Sequence, residues 1–183
     1  PDAALILAAH QRWGVDCASQ LMGDFAFAIW DSQNRSFYAA RDLFGVKPLY
    51  YRRDRSGLAF ASRLDALAQP GDRLDRSRLA AYLAGLDDDP ADTVLAAVQR
   101  LPMGHWLHWT ADRLLLQRYA QIAPEPLRDN EDFAAGFRER FLAAVDARAL
   151  GTADLGAMLS GGLDSSSIVS AIGRRGVGEG APL

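Results

Sequence analysis

The segment Asp24–Asp31, DFAFAIWD, constrains the fold more than any other stretch of the chain. Its side chains alternate with the period of a β-strand. Phe25, Phe27 and Ile29 fall on one side, and Ala26, Ala28 and Trp30 on the other. Both sets are apolar. A strand that is apolar on both faces needs cover on both, so the sheet it joins belongs inside a layered fold.

The flanking sequence extends that layered pattern. Residues 3–13 (AALILAAHQRW) are helix formers, and Gly14 is a natural stop. The polar turn Ser32–Arg35 returns the chain into a second strand, Ser36–Arg41. A bend at Gly45 and Pro48 leads into a strand through Leu49, Tyr50 and Tyr51, and Asp54–Gly57 turns it into Leu58–Ala61. Asp75 and Gly85 bracket a short helix as cap and stop. Asp87–Pro90 reads as a solvated acidic loop. A last hairpin runs from His105–Leu107 to Leu114–Leu116 through a turn at Thr110–Asp112.

Around Pro124-Glu125-Pro126 periodicity disappears, which places a boundary between domains at 1–121 and 122–183. Residues 131–149 then carry Phe133, Phe137, Phe141 and Val145 as one stripe of an amphipathic helix. Asp154–Leu159 reads as a short buried strand. It runs into Ser160-Gly161-Gly162-Leu163-Asp164-Ser165-Ser166, followed by a helix through Ile168–Ile172.

Composition narrows the function classes. A formal charge of −3 gives no electrostatic case for nucleic acid or an anionic membrane. No apolar run reaches bilayer length. The single cysteine, Cys17, excludes an internal disulfide and fits a reducing cytoplasm; it reads as a structural residue. His105 and His108 are an odd number of residues apart on a strand, so they face opposite ways and do not share a metal. Arg41-Asp42 reads as an ion pair or turn anchor rather than a catalytic pair, and Lys47 beside Pro48 as a surface lysine. The chain lacks an initiator Met and reads as an internal stretch of a longer protein.

The strand-to-helix loop at 160–166 carries the chemistry. Gly161 and Gly162 permit backbone conformations that a side chain would forbid, and let an oxyanion approach the amides closely. The hydroxyls of Ser160, Ser165 and Ser166 add donors, and the helix start adds partial positive charge. Such a nest suits phosphate oxygens. The loop is not of the Walker A type, because the spacing and lysine of that motif are absent. Asp164 would repel phosphate unless a cation sat between them, which argues for Mg²⁺. The plainer alternative is a serine- and glycine-rich turn in which Asp164 caps the helix.

SGGLDSS resembles the PP-loop of the ATP pyrophosphatase superfamily in its asparagine synthetase form. The segments GDFAFAIWD (23–31), ARDLFGVKPLYY (40–51) and LPMGHWL (101–107) resemble, in order and spacing, the amidotransferase domain of the same family. Met103 stands where the family usually has a second proline. The resemblance implies an α+β fold: an Ntn-hydrolase-like αββα sandwich, truncated, followed by the start of an α/β PP-loop domain. It further implies a ligase that adenylates aspartate with ATP and amidates it with glutamine-derived ammonia, releasing AMP and pyrophosphate. Leu159, Ser160, Gly161, Gly162, Leu163, Asp164, Ser165 and Ser166 would then bind ATP, with Asp164 as the Mg²⁺ ligand. Asp2 would bind the glutamine ammonium by a charge-assisted hydrogen bond. The implied partners are glutamine, aspartate and ATP, with a homodimer admitted. The family's catalytic cysteine opens the mature chain and uses its own α-amine as base. No residue here takes that place, so the segment alone is expected to be inactive. Lasso-peptide cyclases and β-lactam synthetases share the loop, and a non-catalytic scaffold is the reading of another class.

Overall fold

The computed structural model describes residues 2–55, 57–86, 91–124, 132–149 and 155–179. Ser56, the acidic stretch 87–90, residues 125–131 of the expected linker and Asp154 lie outside the described residues. The chain divides into two units, Pro1–Ala123 and Pro124–Leu183. Among the described residues no helix is long and apolar enough to cross a membrane.

The first unit is a mixed α/β structure with two antiparallel sheets. Helix α1 (Asp2–Trp13) ends at Gly14 and passes into a 3-10 helix, Gly14–Gln20. Strands β1 (Ala26–Asp31), β2 (Ser36–Arg41), β6 (His105–Trp109) and β7 (Leu114–Arg118) form one sheet in the order β1-β2-β6-β7. Strands β4 (Gly57–Ala61), β3 (Tyr50–Asp54) and β5 (Gln99–Arg100) form the other in the order β4-β3-β5. Between β4 and β5 lies helix α2 (Arg76–Leu83), capped by the Asp75 side chain, which accepts from the Arg78 amide.

Period-two alternation assigns the two faces of the first sheet to different cores. Tyr38, Ala40 and Trp106 pack with Ala9 of α1 and with Cys17 and Ala18 of the 3-10 helix. Phe37, Ala39 and Leu107 pack with Leu49, Tyr51 and Leu101. Neighbouring residues of β2 thus belong to opposite layers, one toward helix and one toward the second sheet. Strand β1 follows the same rule, since Phe27 and Ile29 join the first cluster and Ala26 and Ala28 the second. Trp30 departs from the expected double cover and is 55% exposed. It sits near the end of an edge strand, where the three short strands of the second sheet offer little to cover it.

Arg41 and Asp42 form a turn anchor and not an ion pair. Arg41 donates from Nε to the Lys47 carbonyl (2.8 Å), from Nη1 to Leu101 (2.9 Å) and from Nη2 to Gly45 (2.5 Å). Asp42 is 1% exposed, and its carboxylate accepts from the amides of Phe44, Val46 and Lys47 at 3.0–3.1 Å. Between them the two side chains satisfy the polar backbone of a bend that has no ladder of its own. Tyr119 closes the knot by donating to the Arg41 carbonyl at 2.8 Å. Burial, with the Asp42 charge beside it, pushes the Tyr119 phenol up to about 12. Gly104 has φ +65, and a Cβ there would meet the Ala120 carbonyl oxygen at 2.7 Å. No other residue fits this position without moving backbone.

The second unit contains two helices among its described residues. Asp132 caps α3 (Phe133–Ala149) through the Ala135 amide at 3.0 Å. Helix α4 (Leu163–Glu179) follows. The apolar stripe of α3 is only partly covered, with Phe133 49% and Phe137 71% exposed. The buried strand expected over Asp154–Leu159 is also corrected. Residues 155–160 have no regular secondary structure and are exposed, Met158 at 96% and Leu159 at 60%. A strand needs a neighbour for its ladder, and both sheets belong to the first unit.

Candidate functional site

Helix α4 begins earlier than its sequence pattern suggests, so half of SGGLDSS is helical. The Ser166 amide donates to the Gly162 carbonyl at 3.1 Å, closing the first helical turn. Helix geometry then leaves the amides of Leu163, Asp164 and Ser165 without a carbonyl four residues back. Gly161 takes φ +79, a left-handed turn from which the chain enters the helix, and a Cβ there would meet only open space. Conformational freedom, not crowding, is therefore what glycine supplies at this position.

The serines brace the turn from within. Ser160 Oγ lies 3.0 Å from Ser165 Oγ, and Ser165 Oγ donates to the Gly162 carbonyl at 3.2 Å. The Gly162 amide points back to Ser160 Oγ at 3.5 Å. Residues 159–164 are exposed, whereas Ser165 and Ser166 are half-buried. Asp164 is the second residue of α4, in its first turn, so it does not cap the helix. Among the described residues its carboxylate has no hydrogen-bond or ion-pair partner. The site therefore combines free amides, a helix N-terminus, two linked hydroxyls and one unengaged carboxylate. Amides and dipole favour an anion. The carboxylate and hydroxyls are hard oxygen donors of the kind Mg²⁺ accepts when it shares its coordination with phosphate.

An apolar cleft of about 530 Å³ borders this loop within the second unit. Phe141 and Val145 of α3 line it, with Met158 ahead of the loop and Ser165, Ile168 and Ile172 of α4. The apolar stripe of α3 therefore forms a cleft wall at its C-terminal half. The four-residue spacing was visible in sequence; which half would be covered was not.

In the first unit, Asp2 is exposed in the first turn of α1. Cys17 is fully buried, 3.7 Å from His10 Nδ1 and 3.7 Å from the Tyr38 hydroxyl. Burial pushes its thiol pKa up, which keeps it protonated and a poor nucleophile. His105 Nδ1 lies 2.8 Å from the Met103 carbonyl oxygen. Gly104 and Tyr119, which complete the Arg41–Asp42 knot, were not singled out from sequence. Their bonds to the 41–42 corner span 62 and 78 positions, and no local pattern announces them.

Comparison with known proteins aligns with both units. The model of a glutamine amidotransferase domain family matches residues 1–120, and an asparagine synthase model matches residues 136–177. "Asparagine synthetase [glutamine-hydrolyzing] 3" of Bacillus subtilis is 32% identical over 174 residues, covering 92% of this chain and 28% of that protein. "Asparagine synthetase [glutamine-hydrolyzing] 1" of the same organism is 31% identical, covering 92% and 27%. "Amidase chry2" of Gibberella zeae is 28% identical, covering 93% and 26%. The chain thus spans less than a third of the length of these relatives.

Proposed function

Since the chain belongs to the glutamine amidotransferase domain family through residues 1–120, with an asparagine synthase stretch at 136–177, we propose that it serves a glutamine-hydrolysing asparagine synthetase. The first unit contributes to glutamine hydrolysis in an Ntn-type sandwich, and the second carries the PP-loop of the synthetase. The carrying observation is the order of the two matched segments, with an amide-rich, glycine-turned loop inside the second.

In this reading a carboxylate oxygen of aspartate attacks the α-phosphorus of ATP and pyrophosphate leaves. Ammonia then attacks the carbonyl carbon of the β-aspartyl adenylate, AMP leaves, and the proton lost from nitrogen passes to solvent. Residues 160–166 hold the departing diphosphate: the amides of Leu163, Asp164 and Ser165 and the hydroxyls of Ser160, Ser165 and Ser166 donate to its oxygens. Leu159 lies against the nucleotide. Asp164 holds Mg²⁺, which when bound neutralises charge on the phosphates. Donors already placed where that charge grows lower the barrier without reorganising. Asp2 receives the ammonium group of glutamine. Passing ammonia between sites in one protein keeps it from dilution, an advantage equivalent to about 10⁵ M or more. A cytoplasmic setting, with ATP and Mg²⁺ at hand, completes the reading.

The test uses a protein of the relatives' full length that carries this segment. Release of AMP that depends on both glutamine and aspartate is expected. ADP as the product would contradict the loop assignment. AMP formed only with a peptide acceptor would keep the loop and overturn asparagine as the product.

A further inference from the structure

On the opposite face of α4 from the apolar cleft lies a second groove of about 300 Å³, lined by both helices and sharing Phe141 with the cleft. Its polar lining consists of Arg138 from α3 with Ser166, Ser167, Ser170 and Arg174 from α4. Among the described residues no carboxylate lines it. Ser166, Ser170 and Arg174 follow a spacing of four, so they stack along one face of α4, and Arg138 approaches from the neighbouring helix. Phe141, Leu142 and Ala171 supply apolar lining, Ala171 being 8% exposed.

Neither arginine of the groove is committed to a neighbour among the described residues, as some others in the chain are. Arg52 is paired with Asp72, Arg63 with Asp65, and Arg41 is committed to three carbonyls. Among the described residues Arg138 and Arg174 have no such partner. Two guanidinium groups thus line one groove together with three hydroxyls. Like charges at close quarters repel, and an anion between them removes that cost while accepting several charge-assisted hydrogen bonds. The volume lies at the low end of the range for small-ligand clefts, roughly 300–1,000 Å³.

We propose that this groove is a second anion site, binding a phosphate-type oxyanion independently of the pyrophosphate proposed for the loop. Arg138 and Arg174 grip the oxyanion from two helices, and Ser167 and Ser170 donate to its remaining oxygens. Only Ser166 is common to the groove and the loop, so the two sites can be separated by substitution.

The experiment titrates inorganic phosphate into the isotopically labelled 183-residue chain and follows backbone amides by NMR. Saturable shifts around Arg138 and along Ser166–Arg174 are expected. Arg138→Gln with Arg174→Gln should weaken the affinity about tenfold or more, while Arg138→Lys with Arg174→Lys retains a larger part of it. Both arginines are exposed, so neither change removes core packing, and an unchanged spectrum of the unliganded variant checks that. The proposal is overturned if phosphate produces no saturable response, if the glutamine variant binds as the parent does, or if the shifts are confined to Gly161–Ser165. That last result would assign the phosphate to the loop alone. Loop binding of pyrophosphate should survive in the glutamine variant; its loss would show that the arginines serve the loop and would overturn the second site.

Discussion

Replacing Asp164 by alanine is expected to lower ATP turnover about a thousandfold or more in a protein of the relatives' length. In the proposed site Asp164 is the one carboxylate among residues 160–166, and it is exposed with no partner among the described residues. Without it, the cation that offsets phosphate charge loses its protein ligand, while the loop amides and serine hydroxyls remain. Asp164→Asn keeps the shape and removes the charge, so it should fall nearly as far. Because the side chain is exposed and braces nothing, the melting temperature should barely move. Turnover at the parent's rate in Asp164→Ala would show that the carboxylate has no role in holding metal. A matching collapse in melting temperature would assign it to structure instead.

The second large effect concerns stability. Asp42→Ala should destabilise the chain by about 3–5 kcal/mol in urea unfolding. Its carboxylate is the common acceptor for the amides of Phe44, Val46 and Lys47, and it is buried at 1% exposure. Removing it leaves three donors facing a space that water enters poorly, and the Arg41 carbonyl contacts of the same bend lose their frame. Asp31 provides the comparison. It also accepts from two backbone amides, those of Gln33 and Asn34, but from an exposed turn. Water can replace it there, so Asp31→Ala should cost about 1 kcal/mol or less. Equal losses at the two positions would show that burial is not what makes Asp42 matter.

What was legible in the sequence was local. The double-sided apolarity of Asp24–Asp31 announced a covered sheet, and Phe27 and Ala28 do point into different cores. The hairpin, the Asp75 cap and the Gly14 stop were likewise written in adjacent residues. What was not legible depends on distant partners. Arg41 reaches Leu101 across 60 positions, so sequence could suggest a turn anchor but not its acceptors. The apolar run ending at Leu159 resembles a buried strand because burial and strand share a composition. Its structure depends on a neighbouring strand, and among the described residues of the second unit there is none. The loop itself was recognisable from its glycines and hydroxyls. The early start of α4, which moves Asp164 from a capping place into the first turn, follows from the Ser166–Gly162 bond and has no signal in composition.

Occupancy of the loop by diphosphate tests the central claim most directly. In the labelled 183-residue chain, pyrophosphate with Mg²⁺ should shift the amides of Gly161–Ser165 saturably, and pyrophosphate alone should do so far more weakly. Asp164→Ala should erase the difference between the two titrations. If these amides do not respond to pyrophosphate at any magnesium concentration, the loop is a turn and not a phosphate cradle.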